Sequence, residues 1–103
     1  MSIKTAINSL EFTEKRRFEE INVTQVVIQN YSSVAITVTQ KDVTRSIPAA
    51  TKVLGVDVPS MPFVMNDNGN YFDTNLIVDF PNGPGRVIID YSKAILELDN
   101  KKC

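Results

Sequence analysis

Tyr71-Phe72-Asp73-Thr74-Asn75-Leu76-Ile77-Val78-Asp79-Phe80 is the stretch on which the reading of the fold turns. Phe72, Thr74, Leu76, Val78 and Phe80 fall on one side of an extended chain, and Tyr71, Asp73, Asn75, Ile77 and Asp79 on the other. That period of two belongs to a strand with one buried face, not to a helix. Asn66-Asp67-Asn68-Gly69-Asn70 precedes it, a run of residue types that tolerate positive φ and therefore mark a turn. Pro81-Asn82-Gly83-Pro84-Gly85 follows, and then Arg86 to Ser92 alternates again and runs on towards Leu98. Pairing Phe80 with Val87 sets Val78 against Ile89, Leu76 against Tyr91 and Phe72 against Ile95. A slip of one residue would set Arg86 against Phe80 and Asp90 against Leu76, so the first register is expected for a hairpin of these two strands.

Working towards the N-terminus, Ile21–Gln29 and Val34–Gln40 read as two further strands joined by Asn30-Tyr31-Ser32-Ser33. Val34, Ile36 and Val38 alternate with Ala35, Thr37 and Thr39. Val26-Val27-Ile28 breaks the alternation, which requires either that both faces be covered or that a bulge fall there. Lys41-Asp42 makes a turn into Val43, Arg45 and Ile47, and Pro48 ends that strand. Val53–Met65 has one charge, Asp57, and two prolines, Pro59 and Pro62, and reads as an edge or a crossing loop that is unusually apolar. Residues 1–20 hold the mixed-charge block Glu14-Lys15-Arg16-Arg17-Phe18-Glu19-Glu20 after Ile7, Leu10 and Phe12, an arm whose spacing fits a helix or a strand.

Val, Ile and Thr make up 30 of the 103 residues, and Leu and Ala only 10. Branching at Cβ favours a pleated surface. The expected fold is all-β, an antiparallel β-sandwich of about seven short strands, immunoglobulin-like or jelly-roll-like. It comprises an N-terminal arm over 1–20 and a single domain over 21–103. The Cys…Trp…Cys spacing of true immunoglobulin domains is absent.

Charge and chemistry narrow the function. A formal net charge of −1 gives no footprint for nucleic acid or an anionic membrane. The single cysteine, Cys103, cannot form an intrachain disulfide. No secretion signal or transmembrane span is read, so synthesis in a cytoplasm is expected. Without histidine, every His-dependent triad or zinc site is excluded. The expected hairpin would put Asp73, Asp79 and Asp90 on one outward face, with Asp79 and Asp90 diagonal at roughly 7–8 Å, a separation that inverting glycosidases use. Only Tyr71, Asn75, Ile77, Ile88 and Ser92 would surround them, so a solvated or subunit-facing acidic sheet is expected instead of a cleft. The Asn66–Asp73 loop does not match the calcium-binding EF-hand pattern. Gly83-Pro84-Gly85 is followed by a strand, where a phosphate loop needs a helix. No catalytic residue, cofactor, metal or small-molecule substrate is therefore expected. Two oddities remain, the uncharged Ile21–Gln40 and the apolar Val53–Met65, each either central in the sheet or covered by neighbouring subunits.

Val43-Thr44-Arg45-Ser46-Ile47-Pro48-Ala49, with Asn68-Gly69-Asn70-Tyr71-Phe72-Asp73-Thr74-Asn75 and Gly85-Arg86-Val87-Ile88-Ile89-Asp90-Tyr91, resembles small β-sandwich virion proteins of tailed bacteriophages. In style it is similar to the auxiliary capsid proteins of crAss-like phages. The resemblance covers the last two thirds of the chain and excludes the charged arm. It implies a non-enzymatic capsid decoration protein in the virion, partnered by the major capsid protein and by copies of itself. The contact residues expected are Arg16 and Arg17 in the arm and Met61, Pro62, Phe63 and Val64 in the apolar stretch. The alternative is a small recognition module that binds a glycan or peptide at an edge or loop end.

Overall fold

Among the described residues nine strands form where β-branched residues alternate, and turns form where Asn, Asp, Gly and Pro interrupt them. The structure is a computed structural model that describes residues 4–68 and 70–95; Cys103 and the Leu98 end of the last expected strand lie outside them. In chain order the strands are β1 (Lys4–Phe12), β2 (Arg16–Asn30), β3 (Ile36–Gln40), β4 (Val43–Ile47), β5 (Thr51–Val53), β6 (Val56–Val58), β7 (Phe63–Asn66), β8 (Phe72–Asp79) and β9 (Val87–Ile95). Seven of them make one antiparallel sheet in the order β1-β9-β2-β8-β3-β4, with β7 also paired to β2, while β5 and β6 pair only with each other. Among the described residues there is no helix.

β2 organises everything else. Its first part pairs with β8, from Arg16↔Val78 to Val23↔Phe72. Its second part pairs with β9 on one side, down to Asn30↔Val87, and with β7 on the other, from Gln25↔Asn66 to Ile28↔Phe63. One strand thus belongs to two layers, β1-β9-β2-β7 and β2-β8-β3-β4, and the sheet folds on itself as a two-layer sandwich. Register shifts between Glu20 and Val23 and between Val23 and Gln25 make the bend. Each bulge inserts a residue and reverses which side faces inward. As a result Phe18, Val23, Val26 and Ile28 are all buried although their spacing is uneven. Asn22 takes the left-handed conformation at φ 57°, which Asn tolerates better than most residues. Thr74 and Asp73 hold the first bulge: the Glu20 amide donates to Thr74 Oγ1, Thr74 Oγ1 donates to the Glu20 carbonyl, and the Asn22 amide donates to Asp73 Oδ1.

Phe12, Phe18, Val23, Val26, Ile28, Ile36, Val38, Ile47, Leu76, Val78, Val87, Ile89 and Tyr91 form the core. Phe18 meets Tyr91 edge-on at 5.0 Å between ring centroids. The expected inward faces of β8 and β9 are both correct, but the strands are not neighbours, because β2 lies between them. Val78 and Ile89 contribute to one core from different layers. The six residues from Pro81 to Arg86 cross between layers instead of closing a hairpin, which a tight two-residue turn could not do. Gly85 permits the crossing: a Cβ there would collide with the Oγ and Cβ of Ser32. β2 and β3 are likewise no hairpin, since β8 separates them. The stretch expected as an arm is sheet from Lys4 onward: β1 pairs with β9 along its whole length, and Phe12 and Phe18 are core. Within the uncharged Ile21–Gln40, β2 from Gln25 to Ile28 and β3 have strands on both sides.

Candidate functional site

The apolar stretch from Val53 onward resolves into a small ribbon. β5 and β6 pair as Thr51↔Val58, Lys52↔Asp57 and Val53↔Val56. Period-two alternation puts Thr51, Val53, Val56 and Val58 on one side of this ribbon and Lys52 and Asp57 on the other. The polar side is satisfied by a Lys52–Asp57 ion pair at 3.0 Å. The apolar side has no core to face. Val53, Val56 and Val58 are exposed, as is the nearby Met61, and Leu54 at the tip is 99% exposed.

Leu54 and Gly55 form the two-residue loop, both with positive φ, at 51° and 80°. Loops of this kind prefer Asn-Gly or Asp-Gly. A leucine held in the left-handed region costs about 1–2 kcal/mol, and here its side chain contributes no packing within the chain. An isolated two-stranded ribbon is marginal in water, so its roots matter. The Asn30 amide, 1% exposed, supplies them. Its Nδ2 donates to the carbonyls of Val34 (3.0 Å), Ile47 (3.3 Å) and Pro48 (3.0 Å), and its Oδ1 accepts from the Ser32 amide at 2.8 Å. The Ala50 amide donates to the Ser32 carbonyl, and Ser60 Oγ donates to the Ala49 carbonyl. The leading end of the ribbon is thereby tied to the turn that follows β2, and the trailing end is tied back to Ala49.

The expected contact residues do not form one group. Met61, Pro62 and Val64 are exposed, whereas Phe63 packs partly buried against the core, with the Arg45 guanidinium 5.8 Å from its ring centroid. Arg16 and Arg17 begin β2 in the other layer: Arg16 stacks over Phe12 at 4.9 Å, and Arg17 Nη1 donates to Asn75 Oδ1. Leu54, Val53 and Val56 are the exposed residues that the sequence reading did not single out. The available signal was Leu-Gly standing at a two-residue turn between alternating valines.

The acidic residues do not form a pair. Asp79 pairs with Thr37 of β3, while Asp90 sits opposite Val27 of β2 and Ser9 of β1. With β2 between their strands, the expected diagonal neighbours are in different layers. Asp90 accepts from Ser9 Oγ at 2.5 Å and Gln29 Nε2 at 3.3 Å. Beside it is a shallow depression of about 110 Å³ lined by Ile7, Gln25, Val27, Asp90, Tyr91 and Ser92. Ile7 is 80% exposed on β1, an outer strand of the sheet.

Among the described residues no group of three or more His, Cys, Asp or Glu side chains is placed to hold a metal ion, and no helix is long and apolar enough to cross a membrane. Lys93 is held above its ordinary pKa of 10.5 by its hydrogen bond to Glu20, 2.9 Å away. Arg86 is shifted upward by its bond to Glu11. Both shifts strengthen a cation that is already charged at neutral pH. What fold and site together define is an antiparallel β domain carrying an apolar projection. Compared with known proteins, the chain matches no family model, no curated protein and no solved structure.

Proposed function

We propose that the chain is a non-enzymatic structural protein that builds or decorates a protein assembly, the form suggested by its resemblance to virion proteins being an auxiliary capsid protein. The observation that carries this reading is the β5–β6 ribbon: Val53, Leu54, Val56 and Val58 stand in water on a projection that its own fold leaves unpacked. Monomers seldom keep contiguous apolar surface without a partner for it. The rooting of the ribbon by Asn30, Ser32 and Ser60 fits a contact that must be presented in a fixed direction. Antiparallel sheet and crossing loops serve here as a platform, with the acidic side chains engaged in bulge and sheet hydrogen bonds.

The test is composition and rebinding. Virions of the phage encoding the chain should contain it at a fixed ratio to the major capsid protein, and capsids lacking it should take up purified protein to a saturable, stoichiometric limit. Protein that remains wholly in the soluble fraction, with no saturable uptake, refutes the assignment.

A further inference from the structure

The outward side of the β2-β8-β3-β4 layer carries a feature separate from the ribbon. Register sets Arg17 of β2 and Thr39 of β3 on either side of Ile77 in β8, and residues opposite one another in a sheet share a face. Phe18, Leu76 and Val38 alternate with them and are buried, so this row points to solvent. In the next outward row, Lys41 follows the Gln40↔Leu76 pair and comes beside Asn75. Arg17, Thr39, Lys41, Asn75 and Ile77 together line a cavity of about 280 Å³.

We propose that this cavity binds an oxyanion group, a phosphate, sulfate or carboxylate, either free or carried on a molecule no larger than one sugar ring. The site goes beyond the assembly reading and does not depend on the ribbon, which leaves the sheet after Ile47, whereas Lys41 stands in the turn at the other end of β4.

Charge is the first argument. Both charged side chains that line the cavity are cations, and no carboxylate lines it. Glu19 is opposite Asn75 on the β2 side but outside the lining. Among the described residues neither Arg17 nor Lys41 forms an ion pair with a carboxylate, while Lys52, Arg86 and Lys93 each do. Geometry is the second. With β8 between them, β2 and β3 are about 10 Å apart, a gap that Arg and Lys side chains can close from both sides above the half-buried Ile77. Arg17 Nη1 donates to Asn75 Oδ1, which holds the guanidinium in place and leaves its other N–H groups for a bidentate contact with an oxyanion. Asn75 Nδ2 is that amide's remaining donor. Size is the third. The volume exceeds the roughly 150 Å³ that takes a benzene ring and falls just below the roughly 300–1,000 Å³ of sites for drug-sized ligands, which suits one small ring with its anionic group.

The test is an NMR titration of isotope-labelled full-length chain at constant ionic strength, because exposed charges are screened beyond about 10 Å in 0.1 M salt. Inorganic phosphate, glucose 6-phosphate and glucose are each added from about 0.1 to 50 mM, a range that covers weak affinities. The two phosphates should shift the amides of Thr39, Asn75 and Ile77 saturably, and glucose should not. Tighter binding of glucose 6-phosphate assigns the group to a sugar-sized ligand and equal binding to the free ion, and either supports the site. Arg17→Gln keeps a donor for Asn75, and Lys41→Asn places at φ 55° a residue that tolerates it, so both variants retain the fold. Each should weaken glucose 6-phosphate binding about tenfold, the loss of one charge-assisted hydrogen bond, and the double variant should not bind. Arg45→Gln removes the same charge from the other face of β4, opposite Val38, and should bind as the wild type does. No saturable shift with either phosphate, an equal response to glucose, or a double variant that binds like the wild type overturns the proposal.

Discussion

Replacing Asn30 by alanine tests whether one buried amide fixes the end of the sandwich. Asn30 makes three donated bonds and accepts one, all to backbone groups of segments 32–34 and 47–48. A hydrogen bond contributes about 1 kcal/mol net, and buried groups left without partners cost more. Because three carbonyls share two N–H groups, the four contacts count as about three full bonds. A loss of about 3–4 kcal/mol follows, equivalent to roughly 15–25 °C in melting temperature for a domain of this size. Urea unfolding followed by circular dichroism and thermal scans should both register it. Asn30→Asp supplies a control of similar shape. Its carboxylate would face the three carbonyls in a buried site, which raises the folded-state pKa above the unfolded value near 3.9. The folded state would then bind more protons than the unfolded state above pH 4, and stability would fall as pH rises from about 4 towards the folded pKa. A loss below about 1 kcal/mol for the alanine variant, with a pH-independent aspartate variant, would refute the idea that this amide organises the end of the sandwich.

Three further outcomes follow from the packing. Leu76→Ala, fully buried, should cost about 2–5 kcal/mol, while Ile77→Ala on the outward side of β8 should cost less than about 1 kcal/mol; reversed magnitudes in urea unfolding would invert the face assignment. Phe63→Asp should lower the unfolding midpoint of the isolated monomer, because Phe63 packs on the core beneath Arg45; an unchanged midpoint would make it a surface contact. Lys93 titrates above its ordinary 10.5 because of its bond to Glu20. The contribution of that pair is complete below the unfolded pKa and is lost as pH rises through the folded one. Glu20→Gln should therefore flatten the fall in urea midpoint as pH rises above about 10.5, and an equally steep fall would dissociate the two residues.

How far the sequence could be read depends on which physical rule each feature obeys. Alternation fixes the face of a side chain, so Leu76, Val78, Val87, Ile89 and Tyr91 were all placed inward correctly. It does not fix the lateral neighbour. Apolar residues that match across a hairpin match equally well across two layers, and the register argument for Phe80 and Val87 could not distinguish them. Loop length held the missing information, since six residues from Pro81 to Arg86 reach another layer. The clustered Val26-Val27-Ile28 called for cover on both faces or a bulge there; the three residues in fact pair regularly with Tyr91, Asp90 and Ile89, and the bulges lie earlier, between Glu20 and Val23 and between Val23 and Gln25. The apolar content of Val53–Met65 was visible, yet prolines 59 and 62 drew the reading towards a crossing loop, and the ribbon before them was missed. For the candidate site, residue types were legible and their grouping was not. Arg17 and Met61 differ only in where the strands carry them.

The double membership of β2 has a consequence in time. A ribosome releases this strand early, but its partners β8 and β9 begin only at residues 72 and 87. At about 5–20 residues per second, several seconds pass before β8 can pair with it, and β9 arrives later still. During that interval β3 can pair with β4 and β2 with β7, but the edges of β2 and β3 that take β8 and β9 stay open, and the first strand, β1, waits for the last, Lys4 for Ile95. Local pairs such as β3–β4 and β5–β6 can form early, but β1 and β2 cannot be completed ahead of the C-terminal end. Chains truncated before residue 87 should thus be the aggregating species, and crowded polysomes the place where they form.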